Sequence, residues 1–151
     1  MPWLIDANVP LRALHRPDPF HQSAWSAVLN LRQRGEDLCY TLQTLTEFWA
    51  VCTRPATARG GFGLTVIETD RRLRVLERHL TFLPDTRDVR AHWRQLVVAH
   101  GVEGVRSHDA RLVASMLAHS VTHLLTFNVD DFRRYRQITA VHPQDVVDGI
   151  A

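Results

Sequence analysis

The sequence predicts an α/β fold with a mainly parallel central sheet. Two observations point there: short apolar runs of strand length recur along the 151 residues, and segments with apolar positions at helical spacing lie between them. With 45% apolar and 23% charged residues, the chain has the means to bury a sizeable core, and a single domain over residues 1–151 is expected. It opens straight into Trp3-Leu4-Ile5 without the basic and long apolar regions of a secretion signal. No later run approaches membrane-spanning length, so a cytoplasmic protein without membrane contact is the expectation.

Residues 3–6 read as a strand ending at Asp6, and Asn8 and Pro10 open the next element, before Pro17-Asp18-Pro19 breaks the chain. From His21 to Arg34 the residues Ala24, Trp25, Val28, Leu29 and Leu31 recur at helical spacing, and Gly35 closes that helix. Leu38 to Thr41 makes a second buried strand. Leu42 to Thr53 is apolar on most sides around Glu47, and Arg54-Pro55 ends it. Ala56 to Gly63 reads as a flexible connector. A helix over 64–80, a short strand over 81–83, a helix over 86–100 and a loop over 102–106 follow. Ser107 is placed to cap a helix over 109–119, and apolar strands are expected at 123–127 and 138–141.

Several chemistries are poorly supported. Cys39 and Cys52 lack CxxC spacing and sit among apolar residues, which argues for buried thiols over a zinc site or disulfide framework. The Gly-rich stretch lacks the order of a phosphate-binding loop, and the nine histidines show no HExxH pairing. All 18 cationic side chains are Arg, but a net charge of +2 does not by itself demand a nucleic-acid partner. The clusters Arg71-Arg72-Arg74-Arg78 and Arg133-Arg134-Arg136 suit either phosphate contacts or solvated faces. Trp25, Trp49 and Trp93 lie at apolar helical positions and are expected in the core.

The acidic residues are more informative. Asp6, Glu47, Asp109 and Asp131 occur in "WLIDANV", "LTEFWAVC", "SHDARLVA" and "TFNVDDF", where a strand meets a helix or inside an apolar helix. A carboxylate in such surroundings needs compensation, and a shared Mg²⁺ or Mn²⁺ would supply it, since hard cations take oxygen ligands from a few carboxylates and from substrate phosphates. In a parallel sheet the ligand site lies beyond the carboxyl ends of the strands, where Asp6 and Asn128 fall. Each acid also has a plainer reading. Asp109 suits the positive end of a helix dipole, Glu47 suits a buried pair with an Arg, and Asp6 and Asp131 suit capping of the turns that follow them.

The ordered set "LIDANV", "TLTEFWAV", "SHDARLVA" and "LLTFNVDDF" resembles the PIN-domain ribonucleases, and in particular the VapC-like toxins of toxin–antitoxin systems. The resemblance implies a three-layer α/β/α domain. It makes Asp6, Glu47 and Asp109 metal-binding carboxylates, with Asn128 and Asp131 matching the last motif. Many PIN domains carry an acid directly after the fourth strand; here Asn128 stands there, followed by Asp130 and Asp131, of which Asp131 fits the pattern better. Asn8, Thr46, Ser107 and Thr126 fit supporting polar positions, or serve as caps and strand-end hydrogen bonds. The resemblance further implies metal-dependent cleavage of RNA, a homodimer, and a small antitoxin docked near the helix Leu42 to Thr53 and the Gly-rich stretch after it. A phosphatase of the haloacid-dehalogenase type is disfavoured, because position 8 is Asn where an Asp is needed and the chain has no Lys. A catalytically inactive PIN-like module that binds protein or RNA is the remaining alternative.

Overall fold

The computed structural model describes residues 1–151. Its strands are β1 (Pro2–Ile5), β2 (Asp37–Thr41), β3 (Thr81–Leu83), β4 (His123–Leu125) and β5 (Thr139–Val141). Its helices are α1 (Asn8–Ala13), α2 (His21–Gln33), α3 (Leu42–Thr53), α4 (Val66–His79), α5 (Arg87–Ala99), α6 (Arg106–Ala118) and α7 (Pro143–Val147), with a 3-10 turn over Val129–Phe132. The strands form one parallel sheet in the order β3-β2-β1-β4-β5, covered by helices on both faces. This is the three-layer α/β/α architecture.

Alternation along the central strands builds the two interior layers. Leu4 is in register with Cys39 on one side and Leu124 on the other, and all three point to the face covered by α5 and α6, where Val89, Leu96, Val113 and Met116 complete the core. Trp3, Ile5, Leu38 and Leu125 point the opposite way and meet Val9, Ala24, Ala27, Leu31 and Val146 of α1, α2 and α7. A third cluster, with Leu11, Tyr40, Phe48, Cys52 and Leu76, joins α1, α3 and α4 beside the sheet. Both cysteines are buried free thiols. Burial pushes the Cys39 thiol up to about 12 and that of Cys52 up to about 11. No helix is long and apolar enough to cross a membrane.

Where the structure departs from the sequence expectations, local chemistry gives the reason. Helix α6 begins at Arg106 after Gly104 at φ +58° and Val105 in helical conformation, so Ser107 lies inside the first turn and caps nothing. Its amide donates to the Gly104 carbonyl, and its own carbonyl accepts from the Trp93 indole. Strand β4 is shorter than expected and ends at Leu125, although the Thr126 amide still donates to the Val141 carbonyl; the Thr126 hydroxyl turns to the site described below. Helix α7, missed in the sequence, starts on Pro143 with the His142 ring accepting from the Gln144 amide. Trp25 is 42% exposed rather than buried, while Trp49 and Trp93 are half-buried. With Leu29 and Val75, Trp25 lines an apolar groove of about 260 Å³ between α1, α2 and α4.

The Gly-rich stretch is not a free connector. The amides of Phe62, Gly63 and Leu64 donate to the carbonyls of Val51, Arg54 and Cys52, which satisfies acceptors that the end of α3 leaves open. A side chain at position 61 has no room, because a Cβ there would lie 2.3 Å from the Pro55 carbonyl oxygen and 2.6 Å from that of Arg54. Gly61→Ala is therefore expected to destabilise the protein by about 1–3 kcal/mol, seen as a lower urea midpoint. An unchanged midpoint would mean that the loop moves away without cost.

Candidate functional site

The chain leaves β1 toward β2 and β3 on one side and returns in β4 on the other, so a crevice opens between the carboxyl ends of β1 and β4. Asp6 is the first residue beyond β1, and its amide still bonds the Leu125 carbonyl at 3.0 Å. Its side chain is almost fully buried at 9% exposure. One carboxylate oxygen, Oδ2, accepts from the Thr126 hydroxyl at 2.7 Å and from Asn8 Nδ2 at 3.2 Å. Asn8 also reaches Thr126 Oγ1 at 3.3 Å and accepts from the Phe127 amide, while the Asn128 amide donates to Thr126 Oγ1 at 3.1 Å. The ends of β1 and β4 are thus tied together through three polar side chains.

Helix α3 supplies Glu47. It is set in place by a capping box, in which the Thr41 hydroxyl accepts from the Thr44 amide and Thr44 Oγ1 accepts from the Thr41 amide. Glu47 is half-buried and has no Arg partner; it accepts from Gln43 Nε2 at 3.0 Å. The same nitrogen donates to the His108 carbonyl at 2.9 Å, joining α3 to the start of α6. A flipped Gln43 amide would set its oxygen against two acceptors, so the orientation is fixed and leaves Gln43 Oε1 buried with no donor. Thr46 faces solvent and bonds back to the Leu42 carbonyl, away from the site.

Asp109 lies in the first turn of α6, and Asp131 lies inside the 3-10 turn rather than capping it. Both turn to one group, at a position where the sequence predicts a loop: Arg106 Nη1 is 2.6 Å from Asp131 Oδ2 and 3.3 Å from Asp109 Oδ2. Asp130, by contrast, is exposed and pairs with Arg133 at 2.9 Å. Phe127, Asn128, Asp131, Arg133 and His142 border an open hollow of about 500 Å³ beside the crevice. In the cluster Arg71-Arg72-Arg74-Arg78, Arg74 is paired with Asp70 and Arg72 meets the His15 ring.

Burial raises the pKa of Asp6 to about 6, against the Thr126 hydrogen bond, and the charges of Glu47 and Asp109 push it further up. Burial likewise raises Asp109, offset in part by Arg106. The charges of Glu47 and Asp109 thus both reach Asp6, and Asp6 carries no cationic partner. The donor chemistry fits a hard divalent ion: every group is an oxygen, the charge is in excess, and Gln43 Oε1 adds an unpaired acceptor. The four acids do not yet converge, however. No three His, Cys, Asp or Glu side chains come close enough together to hold an ion as they stand, and Asp109 and Asp131 are gathered on Arg106 instead.

The PIN domain family pattern matches residues 3–138. The chain belongs to the PIN-domain family. No curated protein matches the chain by sequence. Among solved structures, VapBC-1 of nontypeable Haemophilus influenzae shares the fold at TM-score 0.67 and 16% identity, over 95% of this chain and 99% of that one. VapBC2 of Rickettsia felis, bound to a promoter DNA fragment, gives 0.66 and 13%, over 94% and 98%. VapC20 of Mycobacterium tuberculosis, a sarcin-ricin loop cleaving toxin, gives 0.64 and 16%, over 88% and 95%.

The raised Asp6 pKa carries a stability consequence. The native state binds the Asp6 proton more tightly than the unfolded chain, so the cost of the ionised form is absent below about pH 4, grows as pH rises toward 6 and is complete above it. In metal-free protein, Asp6→Asn is expected to stabilise the fold by about 2–3 kcal/mol at pH 7.5, with the gain fading toward pH 4. Thermal melts across that range check it, and a gain that persists at pH 4 would show a cause other than ionisation.

Proposed function

We propose that this PIN-domain protein is a metal-dependent endoribonuclease and the toxin half of a toxin–antitoxin pair. The observation that carries the reading is the buried Asp6 carboxylate, which stands at the crevice between β1 and β4, feels the charges of Glu47 and Asp109 and has no cation of its own. Mg²⁺ or Mn²⁺, held by Asp6, Glu47, Asp109 and Asp131, would lower the pKa of a coordinated water and offset charge on the phosphoryl oxygens. Thr126 and Asn8 fix the Asp6 carboxylate through Oδ2. Gln43 orients Glu47 and anchors it to α6. Asn128 keeps the loop after β4 in place through its amide and borders the hollow where substrate would lie.

A single-stranded RNA is the substrate we favour. Arg133, Arg134 and Arg136 are exposed just beyond Asp131, where they suit phosphate oxygens flanking the cleaved bond. The sarcin-ricin loop cleaving activity of VapC20 and the toxin–antitoxin complex from Klebsiella pneumoniae among the structural neighbours support the same direction. The resemblance sets the antitoxin near α3 and the Gly-rich stretch; a well-formed apolar groove lies instead beside Trp25 and Leu29, between α1, α2 and α4, and an antitoxin segment could bury apolar side chains there. A homodimer is part of the reading. The inactive-module alternative would be favoured by the loss of an acid, and Asp6, Glu47 and Asp109 are all present.

Purified protein should cut a mixed cellular RNA pool into discrete fragments with Mg²⁺ or Mn²⁺ and lose that activity in excess chelator. Asp6→Asn and Asp109→Asn should each reduce the rate by at least about 100-fold with the fold intact by circular dichroism. Fragments that persist in chelator, or variants as fast as the parent, would sink the mechanism.

A further inference from the structure

We propose that Arg106 is a resident counter-cation of the acidic cleft, which competes with the divalent ion for Asp109 and Asp131 and is displaced when the ion loads. The inference rests on the metal-dependent reading above and adds a device that belongs to this chain. Asp109 and Asp131 come from different elements, and a single nitrogen, Arg106 Nη1, bridges them at 3.3 and 2.6 Å. One positive centre shared by two carboxylates stands in for the role a metal ion plays among such ligands.

Two features make this cation displaceable. The contact uses one nitrogen, so the guanidinium is not locked to either carboxylate as a two-pronged fork. The Arg106 side chain is 48% exposed, so its head group already has access to solvent. Ion pairs with that much water access are weak, whereas Asp6, deeper in the cleft, is out of the contact and has no cation. Asp130 takes no part in the bridge, because it faces solvent and pairs with Arg133. In the metal-free protein Arg106 thus holds Asp109 and Asp131 together against their mutual repulsion, and the apparent metal affinity is reduced by the cost of displacing it.

The test is Mn²⁺ titration by calorimetry on chelator-treated wild type, Arg106→Gln, Arg106→Lys, Arg133→Gln and Asp6→Asn, with folding checked by circular dichroism. Arg106→Gln should bind Mn²⁺ about fivefold more tightly than wild type, with Arg106→Lys between them. Arg133→Gln removes a nearby charge that touches neither acid and should leave the affinity near that of wild type. In a parallel experiment, the NMR signal of the Arg106 side-chain Nε–H should shift on Mg²⁺ addition and saturate with binding. Equal or weaker Mn²⁺ affinity in Arg106→Gln, a gain matched by Arg133→Gln, or an unmoved Arg106 signal would overturn the inference while leaving the metal site standing. Absence of Mn²⁺ binding in wild type and Arg106→Gln alike, indistinguishable from Asp6→Asn, would overturn the metal-dependent reading and this inference with it.

Discussion

The hydrogen bond from the Thr126 hydroxyl to Asp6 joins the two strands between which the crevice opens, and the site is organised around it. Thr126 is fully buried, and its oxygen also accepts from Asn8 and from the Asn128 amide. A single hydroxyl therefore sets the direction of the deepest carboxylate, the path of the loop after β4 and the position of Asn8 at the start of α1. The buried charge is stable there only because polar donors on both sides meet it. Glu47 and Asp109 approach from separate helices, and the charge of each is felt at Asp6.

This concentration of like charge works against folding, and the rest of the molecule supplies the stability that tolerates it. The strands next to the crevice are packed on both faces, with Leu4, Ile5, Leu124 and Leu125 at 0–1% exposure. Rigid strands fix Asp6 and Thr126, whereas Asp109 and Asp131 sit on a helix start and a short turn whose side chains stay within reach of solvent. The cleft thus has a fixed floor and an adjustable rim, a division suited to holding a ligand that arrives after folding.

The parts of this arrangement that depend on local sequence were legible in it. Apolar runs gave β1, β2 and β3 to within a residue or two, and Arg54-Pro55 marked the end of α3 at Thr53. The four acids were visible because a charge in an apolar segment is anomalous wherever the chain leads. Features set by distant residues were hidden. Arg106 reads in the sequence only as the end of a loop, since nothing near it announces Asp131 as its partner. Trp25 looked like core because helical periodicity identifies an apolar stripe, whereas the packing of α1 and α4 beside α2 decides whether that stripe is covered. The start of α6 was misread because Val105 offers no capping side chain, and Ser107 is a capping residue in composition only.

The two thiols described with the core have a practical side. Cys39 and Cys52 are buried, and their raised pKa values leave almost no thiolate at neutral pH, the form that alkylating reagents attack. The native chain is therefore chemically quiet toward maleimides while folded. A cysteine introduced at one exposed position would react alone, so a spin label or fluorophore can be attached beside the cleft or along the Trp25 groove without first removing residues that the core requires.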